Sequence, residues 1–147
     1  NVYRAKARNV YLTTNDISKI NTSSGASVKS ENTLIVNSLD LDSSSGSSIK
    51  IYVNSDEVSS STSSGASIKI YGKTNYFLAN ASSGSSIDAD ELKSKEATAQ
   101  ASSGANINLN VSDKLTASAS SGGDIDYEGN PTKIKKDTSS GGSVSKS

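Results

Sequence analysis

From residue 25 onward apolar and polar positions alternate in short runs, and the runs recur. A β-branched residue stands at Val28, Ile49, Ile68, Ile87, Ile107, Ile125 and Val144. Two positions further on come Ser30, Ile51, Ile70, Ala89, Leu109 and Tyr127, with polar residues between. Alternation with a period of two marks a strand with one face buried. A second alternating run closes each unit, as in Phe77-Ala79-Ala81 and Leu115-Ala117-Ala119. Turn-forming residues separate the two runs: Asn54-Ser55-Asp56, Gly72-Lys73-Thr74-Asn75, Ser112-Asp113-Lys114 and Gly129-Asn130-Pro131.

Three residues before each β-branched position is a Gly preceded by Ser-Ser. These glycines are Gly25, Gly46, Gly65, Gly84, Gly104, Gly122 and Gly141, at successive intervals of 21, 19, 19, 20, 18 and 19 residues. Each repeat therefore reads strand, turn, strand, Ser-Ser-Gly bend. At the bend Gly supplies positive φ without Cβ strain, and the small serines are expected to hydrogen-bond locally and along the stack. One repeat cannot bury its apolar side alone. Stacking sets equivalent residues about 4.8 Å apart in parallel ladders, so the Val/Ile column becomes a spine and six intervals make a rod roughly 30 Å long.

The expected fold is all-β, a single-stranded parallel β-helix or solenoid of about seven coils of roughly 19–21 residues. Parallel crossovers are overwhelmingly right-handed, which sets the expected hand. Residues 1–147 read as one solenoid domain: 1–22 an incomplete first coil with a strand at Val10-Tyr11-Leu12 and apolar Ile17 and Ile20, 23–141 regular repeats, and 142–147 a C-terminal edge.

Composition and charge then change the picture. Only 32% of residues are apolar and 34 of 147 are Ser, which in a compact globule would suggest low complexity but suffices for stacked coils with a narrow apolar column. Fifteen basic and fifteen acidic side chains give no net charge, which argues against nucleic acid or an anionic membrane as partner. No apolar run approaches the ~18 residues of a membrane span. The chain starts at Asn1 without an initiator Met, so any targeting segment is expected upstream.

With no His and no Cys, Ser-His-Asp and Cys-His catalysis, disulfides and His- or Cys-ligated zinc are excluded. Candidate chemistry therefore falls on the outer face, at positions two, four and six after each Gly. One half of it is basic and aromatic, with Lys50, Tyr52, Lys69 and Tyr71. The other is acidic and amide-rich, with Asp88, Asp90, Asn106, Asn108, Asn110, Asp124, Asp126 and Glu128. As a ligand-binding surface, Lys50, Tyr52, Lys69, Tyr71, Asp88, Asn108 and Asp126 would form a flat platform on which Tyr rings stack against sugar rings while Asp and Asn take hydroxyls. The plainer reading is that Lys stems cover the strands and prevent unwanted pairing. Asp124, Asp126 and Glu128 are weak candidates for a Ca²⁺ site, since oxygen ligands suit that ion, but the nonapeptide calcium repeat is absent. No other cofactor is expected. A glycosidase reading would rest on Asp88 and Asp126, two coils apart and hence roughly 10 Å, slightly beyond the span of inverting enzymes. Short coils without long loops offer no cleft wall for it.

Ser-Ser-Gly-Ala-Ser-Ile recurring in this register resembles the bacterial family of the putative auto-transporter adhesin, head GIN domain. So do Val10-Tyr11-Leu12-Thr13 ahead of Ile17 to Gly25, and the closing Tyr127-Glu128-Gly129-Asn130-Pro131 ahead of Ser140-Gly141. The resemblance implies a right-handed β-helix-like fold, export in Gram-negative bacteria, a periplasmic or cell-surface location and no catalytic residues. Family domains usually carry more sequence upstream, so an N-terminal portion is expected to be missing. The combined expectation is a non-catalytic envelope module, adhesive or structural. Its partner would be a cell-surface glycan or an envelope protein, with end-to-end or side-by-side self-association through open ladders. A ligand-free spacer and a β-helix carbohydrate-active enzyme are the alternatives.

Overall fold

In the computed structural model, the described residues are 17–147 together with the backbone of two N-terminal strands, β1 (Val2–Ala5) and β2 (Asn9–Leu12). The chain continues through β3 (Lys19–Thr22), β4 (Ser27–Ser30), β5 (Leu34–Ser43) and β6 (Ser48–Thr62). It then runs through β7 (Ser67–Ala81), β8 (Ser86–Ala101), β9 (Asn106–Ala119), β10 (Asp124–Glu128), β11 (Lys133–Thr138) and β12 (Ser143–Lys146). Every pairing among them is parallel, and the strands stack as a β-solenoid of about seven turns. None of the described residues is helical, so no helix is long and apolar enough to cross a membrane.

Stacking places Ile49, Ile68, Ile87, Ile107 and Ile125 opposite one another in successive coils. With Val28 they form one fully buried column; Val144 is partly buried at its C-terminal end. Ser30, Ile51, Ile70, Ala89, Leu109 and Tyr127 form a second buried column beside it. A third column, Thr22, Ser43, Thr62, Ala81, Ala101 and Ala119, is polar in the early coils and apolar in the late ones. Its hydroxyls are satisfied inside the rod: Thr22, Ser43 and Ser47 bond mutually at 2.9–3.0 Å, and Thr62 meets Ser85 at 2.9 Å. Buried hydroxyls of this kind would otherwise cost stability, which is why they occur as bonded sets.

The Ser-Ser-Gly bend is a tight two-residue turn. Ser24 and Gly25 both have positive φ, 55° and 74°, and the Ala26 N–H donates to the Ser23 carbonyl at 3.2 Å. The same pair of positive angles recurs in all seven bends, the pattern of a type I′ turn. The turns are also laddered, since Gly25 N–H donates to the Ser45 carbonyl of the next coil and Gly46 N–H to that of Ser64. The serine hydroxyl role falls elsewhere than expected. The bonded hydroxyls at the bend are those of the residue after Gly, where Ser47 and Ser85 each reach back to the carbonyl three residues earlier at 2.7 Å. The second Ser of the tripeptide contributes its backbone, a left-handed conformation that a small polar residue enters at a cost of about 1 kcal/mol.

The expected turns at Asn54-Ser55-Asp56, Gly72-Asn75 and Ser112-Lys114 do not interrupt the strands; β6, β7 and β9 run straight through them. The chain bends there by a slip in phase. Val53 and Ser55 face inward, Asp56 and Glu57 both face out, and Val58 faces in again. Because the hydrogen bonds run between coils rather than within one, a strand can turn a corner while each residue keeps its partner above and below. Gly129-Asn130-Pro131 does break the chain between β10 and β11, as a Pro lacking its N–H would.

Candidate functional site

The outer face between the Ser-Ser-Gly bend and the first corner carries the expected candidates. Register brings Lys50 against Lys69, Tyr52 against Tyr71, Lys69 against Asp88, Asp88 against Asn108, and Asn108 against Asp126. The seven residues therefore share one face. They are held by β6 to β10, whose inward neighbours are the spine.

The tyrosines do not lie flat on the sheet. Their ring centroids are 4.6 Å apart with planes 15° from parallel. The rings are stacked, one per coil, so each turns a face to the other. The expected flat sugar platform is thus replaced by a two-rung stack. Lys50 and Lys69 place their Nζ atoms 5.4 and 5.5 Å from the Tyr71 centroid, a cation–π arrangement that offsets part of the repulsion between the stacked lysines.

Lys69 also pairs with Asp88, Nζ to Oδ2 at 3.1 Å. The hydrogen bond that it donates to Asp88, then that to Tyr71, pushes the Lys69 ammonium above its usual range. Beyond Asp88 the strand register breaks. Between Lys69/Asp88 and Gly72/Leu92, β7 spends two residues and β8 three, a β-bulge that redirects the chain locally. Asp90 sits in it. Oδ1 of Asp88 and Oδ1 of Asp90 are both shielded from solvent without a hydrogen-bond donor. Burial, then the hydrogen bond and charge of Asp88, hold the Asp90 carboxyl above the ordinary carboxylate range.

Because the folded value is raised, ionised Asp90 opposes the fold above it, and that penalty is relieved as pH falls. Asp90→Asn is therefore expected to raise the unfolding temperature at pH 7 and to leave it unchanged near pH 3, where the carboxyl is already protonated. Thermal melts at the two pH values check this. Asp90 is not among the seven candidate ligand residues, yet the 20-residue interval from Gly84 to Gly104, followed by one of 18, marks an extra residue in that coil.

The acidic end of the face does not converge. Asp124 Oδ1 accepts from Ser143 Oγ and Asp126 Oδ1 from Ser145 Oγ, both in the following coil. Glu128 takes a 3.5 Å bond from Asn110. Among the described residues no three acidic side chains come together as a metal centre, so Asp124, Asp126 and Glu128 are spread along the strand rather than gathered round an ion.

The sequence pattern of the putative auto-transporter adhesin, head GIN domain family matches residues 1–131. The chain belongs to that family. Among curated protein sequences, none matches it. Two solved structures share the fold. One is a putative adhesin from Bacteroides fragilis NCTC 9343, with a TM-score of 0.82 and 19% identity over 89% of this chain and 61% of that one. The other is a putative lipid binding protein from Parabacteroides distasonis ATCC 8503, with a TM-score of 0.70 and 19% identity over 89% and 62% of the respective chains. The head GIN chain described here thus spans about three fifths of each structural neighbour.

Proposed function

We propose that this head GIN domain is a non-catalytic, exported module of the bacterial envelope that works as an adhesive rod. Hydroxyl-rich glycan binds on the face around Tyr52 and Tyr71. The stacked tyrosine pair carries the proposal. It sets two phenol rings one coil apart, with Lys50 beside them and Asp88 and Asn108 further along the rod. Donors and acceptors repeated at the ~4.8 Å strand spacing suit a ligand whose hydroxyls also repeat. The family name and the adhesin neighbour support an outward-facing role.

A hydrolytic role has little support. Asp88 is tied to Lys69, Asp126 accepts from Ser145, and two in-register steps separate them on an open face. The lipid-binding neighbour suggests another ligand, but the adjacent exposed apolar pair on β7, Tyr76 and Leu78, is set among polar residues. Tyr76 stands between Glu57 and Glu96, and Leu78 between Ser59 and Thr98.

The test is a glycan array probed with the wild type and with Tyr52→Ala/Tyr71→Ala. Selective retention by the wild type that falls at least tenfold in the variant, with unchanged circular dichroism, is the expected result. Equal retention by both proteins would remove the tyrosine face from the account, and retention by neither would favour a ligand-free spacer.

A further inference from the structure

A second surface begins two residues past the tyrosines on the same strands and runs into the first corner. A groove of about 590 Å³ runs along the rod axis there. It passes over the strands at Ser55, Thr74 and Ser94, whose side chains are buried and whose hydroxyls are spent on backbone carbonyls at 2.6–3.3 Å. One wall is the in-register series Ile35, Asn54, Lys73, Lys93 and Asn110. Five successive coils at the strand spacing make that wall about 19 Å long.

Charge on this groove is lopsided. Lys73 and Lys93 are immediate neighbours on adjacent strands, and Lys95 lines the same groove two residues further along β8. None of the three makes an ion pair among the described residues, where the pairs are Lys19–Asp40, Lys69–Asp88 and Lys114–Glu96. The single acid lining the groove, Asp56, accepts from Asn75 Nδ2 at 2.9 Å instead. Like charges directly opposite across strands disfavour the fold, and on a chain with no net charge this cluster is local rather than part of a general basic surface.

From this geometry we infer a binding site for an extended acidic polysaccharide lying along the rod axis, with Lys73, Lys93 and Lys95 meeting its carboxylates or sulfates and Asn54 and Asn110 its hydroxyls. A linear polymer fits because cations and amides repeat coil by coil along one line. Lysines set in a recess suit a chain that enters it better than a flat membrane. No aromatic side chain lines the groove to stack a nucleobase, which separates it from single-stranded nucleic-acid channels.

Polygalacturonate binding by the intact chain tests this, measured at low and at physiological salt. Lys73→Gln/Lys93→Gln/Lys95→Gln is compared with Lys29→Gln/Lys133→Gln/Lys135→Gln, which removes the same charge elsewhere, and with Tyr52→Ala/Tyr71→Ala. The expected result is wild-type binding that weakens as salt rises and falls at least tenfold only in the groove variant. Neutral dextran, anionic phospholipid vesicles and single-stranded DNA are expected to bind weakly or not at all. Equal loss in the two lysine variants would reduce the effect to net charge and overturn the site. So would absence of polygalacturonate binding, or equal binding of vesicles or DNA. Loss in the tyrosine variant alone would move the acidic ligand from the groove to the tyrosine pair.

Discussion

Ile87→Asp is expected to unfold the rod at temperatures where the wild type is folded. Ile87 sits between Ile68 and Ile107 in the spine and is fully buried, with no polar group at its level in the column. An aspartate there either carries a desolvated charge or binds a proton to avoid it. Both routes are costly, and about 4–5 kcal/mol is a reasonable scale for the uncompensated group. Total stability of a domain this size is of order 5–15 kcal/mol, so one such change consumes much of it. In a solenoid the damage does not stay local, because each coil is stabilised by its neighbours. Ile87→Val, which removes one methylene, is expected to cost only about 1 kcal/mol. Thermal unfolding followed by far-ultraviolet circular dichroism separates the two. An Ile87→Asp melt matching the wild type would mean that this column does not face inward.

Gly72→Ala is the second large effect. Gly72 has φ of 120°, and a Cβ built on it would stand 1.9 Å from the carbonyl oxygen of Val53 in the preceding coil. The substitution therefore combines backbone strain with a collision against backbone, which no rotamer change relieves, and a loss of about 3 kcal/mol or more is expected. Gly84→Ala provides the contrast. Its φ is 68°, but nothing lies within 4 Å of the would-be Cβ. Only the left-handed strain remains, about 1 kcal/mol. Chemical denaturation midpoints of the two variants give the comparison; similar losses would show that close approach of the coils at Gly72 is not what fixes that residue.

These two glycines illustrate what the sequence can disclose. The Ser-Ser-Gly period announces the coil, its bend and the apolar spine, because each is a local rule repeated seven times. The conflict at Gly72 comes from a carbonyl 19 residues earlier in the chain, a contact that exists only after stacking, and by composition Gly72 reads as a turn. Asn54-Ser55-Asp56 likewise reads as a turn because turn propensity assumes that a bend must break hydrogen bonds. In a solenoid the ladder runs between coils and survives the bend. Similarly, Tyr52 and Tyr71 were visible as outward neighbours, yet whether their rings lie flat or stack depends on side-chain torsions that alternation does not encode.

The groove was hidden for a related reason. Lys73, Lys93 and Lys95 have no common local motif, and only the register of β6 to β9 lines them up. Both proposed surfaces are columns built from one residue per coil. A polymer with a regular repeat would meet them in the same way at each step, which ties the adhesive role to the coil spacing itself.

That shared dependence on register can be measured directly, since the chain has no Cys. Ser48, Ser67 and Ser86 stand in line on successive coils, about 4.8 Å apart per step, within the span a disulfide bridges. Under mild oxidation Ser48→Cys/Ser67→Cys is expected to form an intramolecular disulfide readily, and Ser48→Cys/Ser86→Cys, two steps apart, to stay reduced. Bridging in the second variant, or none in the first, would contradict the stacking on which both binding surfaces rest.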